Sequence, residues 1–277
     1  MPELPETETI ARDLDAELRG ATITGVDVRR ADVLREVDAR ALAQRVGGAR
    51  IERAWRRAKL VILDLSTGDR LVVQPRFTGA LLVDDGATPL PERERPFLRV
   101  TFTLDGGRRL HYRDIRCLGT VALMPPDRFA EYEGGLGVEP LDPSFTAAHL
   151  SGLVRGSRQA IKKLLQDQRR VVGVGNIYAN EALWRSRLDP AREGRSLSEA
   201  EIARLRDAVV SVLEESIALR GTSFRDYVDA RGARGGFVDR LAVYGRADEP
   251  CPRCGTTLVD THAIDARTTV YCPRCQH

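Results

Sequence analysis

Four cysteines have the spacing of a metal site. Cys251 and Cys254 form one C-x2-C pair, and Cys272 and Cys275 form a second pair after seventeen intervening residues. Thiolates at this spacing bind one zinc ion tetrahedrally, and a site filled by four protein ligands is structural rather than catalytic. Two disulfides are the alternative, which the reducing compartment expected for this chain disfavours. We therefore expect one structural Zn²⁺ and a small hairpin that depends on it.

The opening residues offer a different chemistry. Pro2 becomes the first residue once Met1 is removed, and it then carries a secondary amine. An α-amino group has a pKa of about 8, so part of it is unprotonated at neutral pH and can attack an aldehyde carbon. Glu3 and Glu6 lie on one side of the helix start as candidate proton donor and acceptor. Glutamates in the first turn of a helix are common, so this pattern alone leaves a purely structural role open.

The first half of the sequence contains one helix followed by many short strands. Ile10, Leu14 and Leu18 recur every four residues and predict a helix that begins near Pro5. The Asp-Gly-Gly turn at 105–107 indicates a hairpin, and many short strands favour an antiparallel β-sandwich. The predicted strands are 23–28, 51–55, 61–65, 71–73, 81–83, 98–104 and 109–112.

The second half has helical periodicity. Proline and glycine are concentrated in residues 125–143, which we interpret as a linker. Helices are predicted over 159–168 and 176–186, and Ser198 with Glu201 forms the capping box of a longer helix. The fold class is therefore α+β with several domains. The predicted domains are 1–130 (sandwich), 131–143 (linker), 144–232 (helical) and 233–277 (basic loop and four-cysteine finger).

Composition excludes several classes of protein. The chain has 277 residues and a net charge of +3, with 22 basic against 24 acidic residues in 1–150 and 21 against 16 in 151–277. No apolar run is long enough to span a membrane, and the acidic N-terminus is unlike a signal peptide. Five cysteines are too few for a secreted disulfide scaffold. We expect a cytoplasmic protein without a membrane partner.

Five motifs together carry a family resemblance. They are MPELPETE at 1–8, RRAK at 56–59, VVGVGNIYANEALW at 171–184, VYGR at 243–246, and the four-cysteine finger. In this order they resemble the Fpg/Nei family of DNA glycosylases, in its formamidopyrimidine-DNA glycosylase branch. The resemblance implies a bacterial, nucleoid-associated, monomeric base-excision-repair enzyme. Its substrate would be double-stranded DNA containing damaged bases or abasic sites.

The resemblance also implies catalytic roles. The enzyme would remove oxidised purines (8-oxoguanine and formamidopyrimidines) and then cleave the strand by β,δ-elimination. Pro2 would attack C1′ of the damaged nucleotide, Glu3 would act as the general acid, and Glu6 would be a supporting carboxylate. Lys59 would contact the phosphate beside the lesion and assist elimination.

Further residues would bind DNA. A helix–two-turns–helix element would span about 159–186, with Gly175 allowing close backbone approach and Asn176 donating to a phosphate. Tyr244 of the VYGR motif would bind DNA, and Arg267 of the finger would clamp the phosphates that flank the flipped nucleotide. Residues 231–240 resemble the loop that caps the lesion, although a solvated basic loop is an equal alternative.

The sequence departs from the family pattern where side chains fill the gap left by the extruded base. Gln74 stands where a histidine is usual, with Arg76 as an alternative donor, and Phe77 replaces a methionine. Arg116 keeps the position that reads the orphaned base, whereas Leu118 replaces a phenylalanine. Three alternatives stay open: a divergent member with changed lesion preference, a non-catalytic damaged-DNA-binding protein, and a zinc-ribbon regulator.

Overall fold

The computed structural model describes residues 2–86 and 90–277, and these form two compact units. One unit comprises Met1–Gly135 together with Leu219–Gly236, and the other comprises Leu136–Ala218 together with Phe237–His277. Residues 219–232, which the sequence assigns to the helical domain, therefore belong to the first compact unit. The four predicted domain ranges themselves stay a prediction.

The first unit is built from two β-sheets and three helices. Its helices are α1 (Leu4–Leu18), α2 (Ala39–Val46) and α3 (Pro126–Gly134). Its strands are β1 (Ile23–Val28), β2 (Leu34–Arg35), β3 (Ile51–Arg57), β4 (Leu60–Leu65), β5 (Arg70–Gln74), β6 (Gly79–Asp84), β7 (Leu98–Leu104), β8 (Arg109–Asp114) and β9 (Thr120–Met124).

The sheets have the antiparallel order expected of a sandwich. One runs β1-β7-β8-β6, and the other runs β2-β9-β5-β4-β3, in which the two-residue β2 lies parallel to β9. All seven predicted strands are present, and the hairpin at 105–107 is confirmed, with Gly106 and Gly107 both at positive φ. Residues of β2 and β9 were not predicted, because neither short segment shows a strong alternating pattern.

Helix α1 lies against this core through its apolar stripe. Ile10, Leu14 and Leu18 are fully buried in a cluster that also contains Val73 and Phe102 from the two sheets. Each such side chain contributes about 1.5–3 kcal/mol when it leaves water. The stripe therefore fixes the position of the start of α1.

Helix α3 occupies the segment that the sequence predicts as a linker. Pro126 stands in its first turn, where the missing N–H costs nothing. Phe129 is buried and packs edge-on against Trp55, with 5.9 Å between the two ring centroids. Pro126 begins this short helix and Gly134 ends it, so residue types that suggested a linker mark the two ends of a helix.

The second unit is mainly helical. It contains α4 (Ala147–Val154), α5 (Ile161–Gln166), α6 (Asn176–Ser186), α7 (Glu199–Ala218) and a hairpin of β10 (Val259–Thr261) and β11 (Thr269–Tyr271). Helix α6 has the predicted bounds, and the capping box of α7 forms. Within the described ranges, none of the helices combines the length and the apolar character that crossing a bilayer requires.

Candidate active site and nucleic-acid interface

The start of α1 gathers the predicted catalytic groups of the N-terminus. Pro2 is buried directly before the helix, and Glu3 and Glu6 are each 1% exposed. The backbone N–H of Glu3 donates to Oε2 of Glu6 at 2.8 Å, as in a capping box. The other carboxylate oxygen, Oε1, accepts from the backbone N–H of Thr222 at 2.8 Å. Glu6 therefore connects the helix start to segment 219–236.

Lys59 lies at the tip of the β3–β4 hairpin. Ala58 precedes it with a φ of 54°, which makes the tight turn. Nε of Arg56 donates to Oε2 of Glu8 in α1 at 2.8 Å, and Nη1 of Arg56 donates to the Ala58 carbonyl at 3.2 Å. These two contacts fix the tip that carries Lys59 to the helix that follows Pro2.

Two loops of the first unit expose the predicted gap-filling side chains. We call residues 75–78 and 115–119 the wedge loops. Phe77 is 43% exposed and Leu118 is 41% exposed. The guanidinium carbon of Arg116 lies 5.2 Å from the Phe77 ring centroid, a cation–π distance. The structure thus brings Arg116 and Phe77 together, while their roles toward DNA stay a prediction.

Asp114 joins the wedge loops to each other. It is fully buried, and its Oδ1 accepts from Oγ1 of Thr78 at 2.5 Å and from the backbone N–H of Arg116 at 3.2 Å. Its Oδ2 accepts from the backbone N–H of Gly119 at 2.8 Å and from Oη of Tyr112 at 3.1 Å. A carboxylate with four donors is a rigid anchor.

The remaining predicted residues of this region lie at the end of β5. Oε1 of Gln74 accepts from Nε of Arg76 at 3.2 Å, so the two alternative phosphate donors share one hydrogen bond. Arg76 has a φ of 53°, a left-handed conformation that non-glycine residues rarely adopt. Such outliers are frequent at functional sites.

In the second unit, the start of α6 and the finger hairpin meet. Gly175 is the N-cap of α6, and Nδ2 of Asn176 donates to the Thr268 carbonyl in the hairpin at 3.0 Å. Arg267 is exposed in the same hairpin loop and has no ion pair among the residues the structure describes. The positive end of α6 and Arg267 are two groups that suit a phosphate.

A buried lysine supports this hairpin. Nζ of Lys162 in α5 donates to Oγ1 of Thr269 at 2.6 Å and lies 3.6 Å from Oδ1 of Asp265. Lys162 is fully buried, so its charge must be compensated by polar partners such as these. They lie on either side of Arg267 in the sequence and constrain the loop that carries it.

Tyr244 lies in a loop that one carboxylate holds. Glu181 in α6 is fully buried and accepts from the backbone N–H groups of Ala242, Val243 and Tyr244 at 2.8–2.9 Å. The pKa of Glu181 is raised, because burial disfavours its charged form. The three N–H groups act in the opposite direction, but their effect is smaller than that of burial. The start of the VYGR motif therefore takes its shape from a residue 62 positions before Val243 in the sequence.

The four cysteines fit the predicted metal. Their Sγ atoms all lie within 4.8 Å of one another, and Cys254 and Cys272 are 3.5 Å apart. Four sulfurs bound tetrahedrally to one zinc, with Zn–S bonds of about 2.3 Å, lie at about this distance from one another. The two sulfurs of a disulfide lie only about 2.05 Å apart. Cys251, Cys254, Cys272 and Cys275 thus hold one structural zinc, which supplies no open coordination position for chemistry.

Comparisons with known proteins agree with this geometry. Family models match for the formamidopyrimidine-DNA glycosylase N-terminal domain at residues 1–121, its H2TH domain at 136–228, and a zinc finger found in FPG and IleRS at 248–277. A Pelotomaculum thermopropionicum formamidopyrimidine-DNA glycosylase is 41% identical over 278 residues, covering 100% of this chain and 99% of its own. The chain belongs to the formamidopyrimidine-DNA glycosylase family. It is therefore a DNA glycosylase of base excision repair.

Another relative and two solved structures are similar over nearly the whole chain. The Moorella thermoacetica formamidopyrimidine-DNA glycosylase is 44% identical over 260 residues, covering 93% of each chain. A variant of Lactococcus lactis FPG bound to Fapy-dG DNA has a TM-score of 0.91 at 30% identity, covering 100% of both chains. The same bacterium's Fpg with abasic-site DNA has a TM-score of 0.90 at 29% identity, covering 99% of both. The α+β family fold is confirmed.

Several residues of these regions were not found from the sequence. Ile115 is 38% exposed in a wedge loop, and Phe224 is 42% exposed in segment 219–236. Asp114 and Glu181 anchor loops from buried positions, and Arg220 does so from an exposed position through buried carboxylate partners. An acidic residue on the buried side of a predicted helix, as at Glu181, is a signal that could have been read. The others depend on contacts between distant parts of the chain.

Proposed function

We propose that this enzyme removes oxidised purines, 8-oxoguanine and formamidopyrimidines, from duplex DNA and cleaves the strand through a covalent bond to Pro2. The observation that carries this proposal is the buried placement of Pro2 beside Glu3 and Glu6 at the start of α1. With Met1 removed, the proline nitrogen is a secondary amine beside two carboxylates. This arrangement suits attack on a sugar carbon.

The Pro2 nitrogen bonds to C1′ and gives up its hydrogen, the bond from C1′ to the base breaks, and the base leaves with that proton. Glu3 donates a proton to the ring oxygen O4′, and opening of the sugar gives an iminium between C1′ and the proline nitrogen. The iminium acidifies the hydrogen on C2′, so loss of that proton expels the 3′ phosphate. A second elimination expels the 5′ phosphate, and water then hydrolyses the iminium and frees Pro2.

We assign DNA contacts to both units. Lys59, Asn176 and Arg267 would hold phosphates, with Gly175 and Tyr244 completing the backbone contact. Phe77 and Leu118 would fill the gap left by the extruded base, and Arg116 would read the orphaned partner. Gln74 and Arg76 would share the phosphate contact made by a histidine elsewhere in the family. We further propose that the enzyme acts as a monomer on nucleoid DNA in the bacterial cytoplasm.

We place the capping of the lesion on segment 219–236 rather than on residues 231–240. Nε of Arg231 donates to Glu17 at 2.5 Å, and Nη2 of Arg234 donates to the Ser223 carbonyl at 2.5 Å. Both arginines are thus engaged within the first unit. Arg240 lies in a short helical turn of the second unit, Phe237–Arg240.

Borohydride trapping on abasic-site DNA tests the proposal. We expect a covalent adduct with the wild type, after mass spectrometry has shown that Met1 is absent. With Pro2→Gly the adduct should fall at least about a hundredfold, because glycine's imine needs an added proton before it is cationic. Pro125→Gly is the matched control, since this proline also precedes a helix, and it should be trapped like the wild type. A processed wild type that gives no adduct refutes the proposal.

A further inference from the structure

A cavity of about 380 Å³ lies beside the four-cysteine finger, and arginines dominate its lining. Arg253 and Arg274 each stand inside one of the two Cys-Pro-Arg-Cys turns, which we call the knuckles, and Arg187 is the C-cap of α6. The other lining residues are Cys254, Cys275 and His277. In the part of the chain that the structure describes, no carboxylate side chain lines this knuckle cavity, and none of its arginines forms an ion pair.

The protein itself restrains two of the three arginines. Nη1 of Arg253 donates to the Trp184 carbonyl at 3.1 Å, and its guanidinium carbon lies 4.1 Å from the Trp184 ring centroid, a cation–π distance. The backbone of Arg187 has a φ of 63°. Its N–H donates to the Trp184 carbonyl at 3.2 Å, and its carbonyl accepts from the N–H of His277 at 3.3 Å. A ligand would therefore meet a largely preformed site, so its binding would cost little ordering entropy.

The knuckle cavity lies at the far end of α6 from the residues proposed to bind phosphate. At the helix start, Nδ2 of Asn176 donates to the Thr268 carbonyl in the finger hairpin, whereas the Trp184 carbonyl in the last turn meets Arg253 of a knuckle. The finger therefore runs alongside α6, with its hairpin loop at the helix start and its knuckles at the helix end. A helix of 11 residues is about 16 Å long, so a phosphate at the helix start cannot also occupy the cavity.

Neutralising the metal site does not require all of this positive charge. One zinc ion with four thiolates carries two negative charges, which is fewer than the charges of the three arginines. Among the described residues, none of these guanidinium groups donates a hydrogen bond to a cysteine sulfur, whereas the N–H of Cys275 donates to Sγ of Cys272 at 3.4 Å. The main-chain oxygen of His277 accepts from Nη1 of Arg192, which does not line the cavity. Positive charge therefore remains for a ligand.

Guanidinium groups bind carboxylates through two parallel hydrogen bonds. We propose that the knuckle cavity binds an acidic segment of a partner protein, whose aspartate or glutamate side chains pair with Arg187, Arg253 and Arg274. Charge complementarity favours an anionic ligand, and the position at the end of α6 favours a protein over the DNA assigned to its start. Enzyme, damaged duplex and partner would then form one complex. This surface lies outside the chemistry at Pro2 and goes beyond the proposed function.

Fluorescence anisotropy tests the proposal on the full-length, zinc-loaded protein. The probe is a short fluorescein-labelled peptide of alternating glycine and aspartate, and its control carries asparagine in place of every aspartate. At physiological salt, where long-range attraction to a basic protein is screened, the aspartate peptide should bind at least tenfold more tightly than the control. The control keeps the length and the backbone, so the difference measures the contribution of the carboxylates.

Arg274→Ala is the main variant, because this side chain is exposed. It should weaken binding of the aspartate peptide at least fivefold and keep one zinc per chain. Arg253→Ala should weaken binding at least as much, and its zinc content is measured because Arg253 also packs on Trp184. Arg204→Ala is the matched control, since it removes an exposed arginine of α7 outside the cavity, and it should bind the peptide within twofold of the wild type.

An abasic-site duplex distinguishes a protein ligand from DNA. At saturating concentration, this duplex should leave the affinity for the aspartate peptide within twofold, because the start of α6 and the knuckle cavity are separate. Displacement of the peptide by the duplex would assign the cavity to DNA and overturn the inference.

Three further results would overturn it. Equal binding of the two peptides removes the role of the carboxylates. Wild-type affinity in Arg274→Ala places the peptide elsewhere on the protein. Loss of zinc from Arg274→Ala assigns that arginine to the metal site. All of these measurements read peptide or zinc binding and not the borohydride adduct, so they are separate from a failure of the proposed function.

Discussion

Two buried glutamates, Glu6 and Glu181, each accept hydrogen bonds from backbone N–H groups. The donors to one are consecutive residues, whereas the donors to the other are far apart in the sequence. Glu181 accepts three N–H groups from the consecutive residues 242–244, so it shapes one short loop of the second unit. Glu6 accepts from the N–H groups of Glu3 and of Thr222, which lies 216 residues away in the sequence. One carboxylate shapes a loop that is proposed to bind DNA, whereas the other connects the start of α1, the proposed catalytic site, to a distant segment.

The difference teaches where each residue should act. Anchoring a DNA-binding loop affects affinity, because it sets how much of the surface is preformed. Anchoring the helix that carries the nucleophile affects the chemical step, because reacting groups must be held in position. Changes at Glu6 should therefore act mainly on rate, and changes at Glu181 mainly on binding.

Glu6→Gln should have the largest effect. Glutamine has one acceptor oxygen where the carboxylate has two, so either Glu3 or Thr222 is poorly held, and the negative charge is lost. We expect single-turnover excision to fall about a hundredfold, with DNA affinity within about threefold of the wild type. Glu36→Gln, which removes an exposed partner of Arg128, serves as the control. A loss of affinity without a loss of rate would contradict the comparison.

Glu181→Gln should show the reverse pattern. Its amide N–H₂ would face backbone donors, so we expect unfolding in urea to cost about 1–3 kcal/mol less. We expect the dissociation constant for abasic-site duplex to rise about tenfold, with excision at saturating enzyme unchanged. Glu215→Gln in α7 is the control. Glu215 forms a partly exposed pair with Arg185, which lies on the same helix as Glu181. If excision at saturation falls tenfold, Glu181 is part of the chemistry.

A third glutamate at the surface should have the smallest effect. Glu201 accepts from Nη1 of Arg192 at 2.5 Å and from the N–H of Ser198 at 2.8 Å. The hydrogen bond from Arg192 is the main cause that lowers its pKa to about 2. Its contribution to stability is thus complete above the ordinary pKa of 4.5 and is lost as the pH falls from there towards about 2.

The measurement is urea unfolding of Glu201→Gln across that range. At pH 7 the variant should be less stable than the wild type by less than about 1 kcal/mol, because exposed pairs are screened by water. Near pH 2 the two proteins should be close to equal. Glu199→Gln, whose partner Arg155 is exposed, should match the wild type throughout. A deficit in Glu201→Gln that grows as the pH falls would contradict the assigned pKa direction.

The sequence predicts the structural elements that are determined by residues close to one another in the chain. The bounds of α6, the hairpin at 105–107 and the capping box of Ser198 with Glu201 follow from signals within a few positions of each other. The four cysteines are similar, since their spacing alone defines the ligand set. The helix within 125–143 was missed because proline marks both linkers and helix starts.

Signals of this kind do not predict contacts between residues that are far apart in the sequence. Nothing near Glu6 indicates that Thr222 will donate to it, and nothing near Arg220 indicates Asp13 as a partner. The exposure of Ile115 and Phe224 likewise depends on tertiary packing, because the residues next to a loop position do not decide whether the rest of the fold covers it. The family motifs predicted which residues carry the chemistry, whereas the residues that anchor these segments could be found only from the fold.

The anchoring of both wedge loops on Asp114 has a consequence for engineering. Thr78 belongs to one loop and Arg116 and Gly119 to the other, yet all three donate to one carboxylate. A graft that exchanges only one loop with a homologue would leave the other without its matching geometry. The two loops share one anchor, so an exchange with a homologue should move both loops together with Asp114.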